Sequence, residues 1–125
     1  MSDDILLPPN GDAPRLARSY VAEQAVGIAP GLVEDAELLV SELVTNALRH
    51  GRPEILLSVH PDPPGIAVAV GDRGDADAVA PVAADPERPR VGGRGLMIVN
   101  AIAARWGVSR NYPPPGKTVW FQLTG

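Results

Sequence analysis

Glu42, Asn46 and Arg49 follow one another at spacings of four and three residues. At about 100° per residue, that places them within roughly 60° of each other on a helix. One helix edge then carries a carboxylate, an amide and a cation. A carboxylate orients or deprotonates a nucleophile, an amide oxygen ligates Mg2+, and a guanidinium grips phosphate oxygens. The combined chemistry is the handling of a metal-bound phosphate. In the same segment Ala36, Leu39, Val40, Leu43 and Ala47 keep the i, i+3, i+4 rhythm of a buried face. The plain alternative is a solvated edge, with Gly51 as an ordinary C-terminal stop and Arg49 and His50 as cations suited to the negative helix end.

Two glycine-bearing segments add candidates. Gly93-Arg94-Gly95 precedes the apolar run from Leu96 to Val99, so small residues and free N–H groups at a helix start offer either an anion site or a flexible entry to a buried helix. Asp72 closes the apolar stretch from Ile66 to Val70 and is followed by Gly74; it is either a turn cap or a buried acceptor. Two motifs mislead. Gly116-Lys117-Thr118 resembles the end of a phosphate-binding P-loop, but Pro113, Pro114 and Pro115 before it cannot donate N–H groups, and too little chain follows for a helix. A strand with Thr118 pointing inward fits better. The carboxylates of Asp72, Asp75 and Asp77 lack the Gly and Glu positions of a calcium loop.

The elements that must position these residues read in order. Ile5-Leu6-Leu7 is a short strand, and helices are expected over 13–25 and 33–50, the second with Glu34 and Asp35 near its positive end. Residues 55–60 and 66–70 form an antiparallel pair around the turn Pro61-Asp62-Pro63-Pro64-Gly65. Residues 75–92, rich in Ala, Pro and Asp, read as a lid. A third helix is expected over 96–104, and strands over 106–112 and 117–123 close the chain as a hairpin. This pattern predicts one domain over residues 1–125: an α/β (α+β) two-layer sandwich, with a mixed, mostly antiparallel sheet and three helices on one face.

Composition narrows the function. A chain of 125 residues buries a single core without staples, and with no Cys it excludes disulfides, zinc–thiolate sites and cysteine nucleophiles. A net charge of −4 opposes a general nucleic-acid surface. The acidic start and the absence of any long apolar run indicate neither secretion nor membrane insertion, leaving a cytoplasmic location as the expectation. His50 and His60 are the only histidines, so an oxygen-ligated cation such as Mg2+ suits the chain better than a multi-histidine centre.

Taken in order, Ser41 to Gly51, Val70 to Gly74, Gly93 to Leu96 and Gly116 to Phe121 resemble the N, G1, G2 and final-strand motifs of the GHKL (Bergerat-fold) ATPases. The wording of the first motif is most similar to the bacterial anti-sigma-factor serine/threonine kinases and the small actinobacterial histidine-kinase-like ATP-binding regulators. The resemblance implies an ATP site between the Glu42 helix, the lid and the sheet. Asp72 would accept the adenine amino group, a choice that disfavours guanine, whose carbonyl would face an acceptor. Thr118 would reach the same base edge, with Gly74 beside Asp72. Asn46 would ligate Mg2+, while Arg49, His50, Arg94 and the backbones of Gly93, Gly95 and Leu96 would line the phosphates. Glu42 would be the catalytic base or orienter.

The implied activity is that of an anti-sigma factor and protein serine/threonine kinase that phosphorylates an antagonist in a partner-switching pathway. Its partners would be a sigma factor and an anti-sigma-factor antagonist, with no direct nucleic-acid or membrane contact and a homodimer formed through the first helix and sheet edge, where Arg15, Arg18 and Tyr20 are either partner contacts or plain solvent or core residues. Ala76 replaces the second glycine of the G1 box, and the lid is proline-rich. Both departures keep open a non-catalytic, ATP-dependent protein-binding regulator. A detached histidine-kinase catalytic domain ranks lower.

Overall fold

The computed structural model describes residues 4–74, 103–110 and 116–124. The chain runs β1 (Ile5–Leu7), α1 (Ala13–Gln24), α2 (Pro30–His50), β2 (Ile55–Asp62), β3 (Gly65–Asp72), β4 (Arg105–Arg110) and β5 (Lys117–Leu123). The strands form one five-stranded sheet in the order β1-β2-β3-β5-β4. Every pairing among the described residues is antiparallel, where a mixed, mostly antiparallel sheet was expected.

Alternation along the strands explains how the sheet carries its helices. Ile66, Val68 and Val70 of β3 and Val119, Phe121 and Leu123 of β5 point to one side and are buried. They meet Leu39, Val40, Leu43, Val44 and Ala47 of α2 and Ala13, Ala17 and Val21 of α1 in one core, as period-2 and period-3.6 stripes require. Arg18 crosses between the helices, where its Nη1 donates to Ser41 Oγ at 2.9 Å. Tyr20 packs partly buried against the core, and Arg15 stays exposed, 3.9 Å from Asp12. The expected α+β two-layer architecture is therefore present.

Boundaries differ from expectation for local reasons. Helix α2 begins at Pro30, a turn before the expected Val33, because a proline at the first position has its φ preset and needs no N–H partner. Glu34 and Asp35 consequently lie beyond the first turn. The β2–β3 hairpin is tighter than expected, since Pro61 pairs with Ile66 and Asp62 with Gly65, leaving Pro63-Pro64 as the connection. Ala103 and Ala104 are not helical; the Ala104 N–H instead donates to the Gln122 carbonyl at 2.9 Å, leading into β4. The lid over 75–92 and the rest of the expected third helix lie outside the described residues.

Candidate functional site

Three chain segments converge where α2 ends. Gly51, the residue after α2, donates its N–H to the Ala47 carbonyl at 2.8 Å, and one residue later the Arg52 carbonyl accepts from the Arg73 N–H at 2.9 Å. The end of the helix is thereby stitched to the end of β3. On the sheet, Asp72 and Lys117 are register partners at the last rung shared by β3 and β5. Opposed residues of an antiparallel pair share a face. Asp72 therefore continues the inward row of Ile66, Val68 and Val70, and Lys117 continues the row of Val119, Phe121 and Leu123.

That rung is a buried ion pair. Lys117 Nζ stands 2.8 Å from Asp72 Oδ1 and 2.7 Å from Oδ2, with the two side chains 1% and 2% exposed. Oδ1 also accepts the Gly74 N–H at 2.6 Å and a longer bond from the Arg52 N–H at 3.4 Å. Hydrogen bonds of this number and charge make burial of the pair tolerable, where an isolated buried ion is not.

Gly51 and Gly74 are glycines because of this carboxylate. A Cβ on Gly51 would fall 2.5 Å from both Cγ and Oδ1 of Asp72, and one on Gly74 would fall 2.8 Å from Oδ1 and 3.2 Å from Lys117 Nζ. Gly51 has φ −100° and ψ −165°, extended backbone open to any residue. Gly51 does end α2, and its missing side chain also makes room for Asp72.

The N-motif edge leaves the core obliquely. Asn46 is buried at 7% exposure, Glu42 is half-buried, and Arg49 and His50 are exposed. A metal that keeps several waters and takes the rest of its shell from substrate phosphates needs few protein ligands, and a single buried amide such as Asn46 suits Mg2+ in that role. Among the described residues no group of three or more His, Cys, Asp or Glu side chains forms a self-contained metal cage.

Thr118 is the placement that changes. It pairs with Gly71, whose missing Cβ would lie 3.4 Å from its Oγ1, so it belongs to the sheet face opposite Asp72. The expected inward position of Thr118 is taken by Lys117. Two signals in the sequence pointed to this lysine. It has the inward parity of Val119, Phe121 and Leu123, and it is the only lysine in the chain. The dismissal of a P-loop stands, since Lys117 opens a strand. Gly93, Arg94, Gly95 and Leu96, with Ala76, lie outside the described residues.

A family model described as "Histidine kinase-like ATPase domain" matches residues 7–123. Among solved structures, the Acinetobacter baumannii histidine kinase AdeS is similar with a TM-score of 0.51 and 14% identity, covering 99% of this chain and 68% of that one. At that identity the likeness speaks for the fold. No curated protein matches the sequence. Among the described residues no helix is long and apolar enough to cross a membrane.

Proposed function

The chain belongs to the histidine kinase-like ATPase domain family, and from that premise we propose that it is an ATP-dependent regulator that phosphorylates a serine or threonine of an antagonist protein. The observation that carries the proposal is the polar edge of α2, with Glu42 half-buried, Asn46 buried and Arg49 exposed in chain order, on a helix whose end is joined to the Asp72 end of β3. Asp72 recognises adenine, Asn46 holds Mg2+, and Arg49 and His50 face phosphate oxygens. Mg2+ supplies charge neutralisation on the phosphates. In the transfer step the acceptor hydroxyl oxygen attacks the γ-phosphorus, the bond to the β–γ bridging oxygen breaks to leave ADP, and Glu42 takes or orients the hydroxyl proton. The target is an anti-sigma-factor antagonist and the second partner a sigma factor, so nucleotide and phosphorylation state decide which is bound, in the cytoplasm and without direct nucleic-acid contact.

Single-turnover ATP consumption with candidate antagonists tests this reading. Transfer to an antagonist that disappears in Glu42→Ala supports it; tight ATP binding with no transfer to any antagonist removes the kinase assignment.

A second reading draws on the occupied carboxylate of Asp72. A non-catalytic regulator whose partner binding depends on ATP needs the pocket but no base, and tolerates a site that fills slowly or weakly. Partner capture with and without ATP, read beside phosphoryl transfer, separates the two, because only this reading survives ATP-dependent capture of a partner that receives no phosphoryl group.

A further inference from the structure

We infer that Lys117 is a built-in competitor for the adenine-accepting carboxylate, and that nucleotide enters this chain by displacing its ammonium from Asp72. The inference rests on the ATP-site reading and deepens it by naming the residue that sets affinity for the base.

Four observations carry it. The Lys117 ammonium reaches both carboxylate oxygens, at 2.8 Å and 2.7 Å. Gly74 N–H occupies a further position on Oδ1 at 2.6 Å. The Asp72 side chain is only 2% exposed, so a planar base cannot meet either oxygen until a neighbour moves. Finally, Lys117 is the single lysine of a chain whose other strong cations are all arginines, and it is 0% exposed.

The chemistry makes the choice of residue informative. An ammonium is a compact donor with three N–H groups on a flexible four-carbon stem, whereas guanidinium is a wide planar fork. The stem can withdraw the head from a site that an arginine would plug permanently. The bond being exchanged joins two ions, whereas the adenine amino group is a neutral donor to the same carboxylate and forgoes the attraction of a full positive charge. Exchange is therefore uphill at Asp72 itself and must be driven by the rest of the nucleotide. The triphosphate is an anion to which a released ammonium is attracted, so base entry and phosphate binding are coupled.

The consequence is quantitative. Apparent affinity scales with the fraction of molecules whose site is open, so a pair closed in about nine molecules of ten weakens binding about tenfold, and one closed more firmly weakens it further. Selectivity survives, because guanine still presents a carbonyl to the freed carboxylate.

The test is calorimetric titration of MgATP and MgGTP into the full chain, wild type and Lys117→Met, with folding checked by circular dichroism. The expected result is ATP binding about tenfold or more tighter in Lys117→Met, with ATP still preferred over GTP. Equal or weaker ATP binding in a folded Lys117→Met chain overturns the inference while leaving the ATP site intact. ATP binding by neither protein overturns the ATP-site reading and this inference with it. A second measurement needs no variant. With 15N-lysine labelling, the single lysine gives a single Nζ resonance. Displacement predicts that saturating MgATP shifts it or abolishes its slow exchange. An unchanged resonance under saturation overturns the inference even where Lys117→Met does not fold.

Discussion

Replacing Lys117 by Met leaves the Asp72 carboxylate buried with the Gly74 and Arg52 N–H groups but without its cation, and replacing Asp72 by Asn strands the ammonium in the same way. At 2.7 Å and an effective dielectric near 20, the gross attraction of the pair is about 6 kcal/mol. Desolvation of the two ions cancels most of it, so the net worth of the pair is near zero while loss of one partner costs about 3–5 kcal/mol. Each single variant is therefore predicted to lose about 3 kcal/mol or more. The double variant Asp72→Asn/Lys117→Met, in which the Asn oxygen still accepts the Gly74 N–H, should lie within about 1–2 kcal/mol of wild type. At about 4 °C per kcal/mol for a chain of this size, Tm falls by about 12 °C or more in each single variant and by only a few degrees in the double. Thermal and urea unfolding followed by circular dichroism measure all four proteins. A double variant that loses the sum of the two single losses refutes the buried-pair reasoning, because the side chains would then act independently.

Other outcomes follow from the same geometry. Gly51→Ala drives a Cβ into the Asp72 carboxylate, which Lys117 and Gly74 hold in place, and should cost about 1–3 kcal/mol in urea unfolding. Phe121, fully buried in the centre of the core, should cost about 3–5 kcal/mol as Phe121→Ala without altering the ATP-over-GTP preference measured on the folded fraction. Glu42→Ala should abolish phosphoryl transfer while leaving MgATP affinity, read by calorimetry, within about threefold of wild type, since the half-buried Glu42 acts on the acceptor hydroxyl rather than on the nucleotide.

Local physics determined what the sequence made legible. The period-3.6 stripe from Ala36 to Ala47 and the alternation of Ile66, Val68 and Val70 are large apolar signals, and the elements they mark are present with core faces as read. Asp72 was legible because a charged residue at the end of such a row has few reasons to be there. The start of α2 at Pro30 was not legible, since the fixed φ of a proline serves a helix start or a break and only the helix behind it decides. Thr118 was placed from its motif, whereas strand parity, already visible in Val119, Phe121 and Leu123, puts Lys117 inward instead. The reason for Gly51 was not legible: it lies in a carboxylate 21 residues further along the chain, and no local rule encodes that approach.

The most direct measurement is calorimetric titration of MgATP and MgGTP into Lys117→Met and Asp72→Asn/Lys117→Met, which compares presence and absence of the carboxylate without stranding a buried ammonium. An adenine site on Asp72 predicts that Lys117→Met binds ATP in preference to GTP, and that the double variant, folded to a similar extent, loses that preference. ATP selectivity that persists undiminished in the double variant contradicts it, because the base would then be recognised elsewhere than at Asp72.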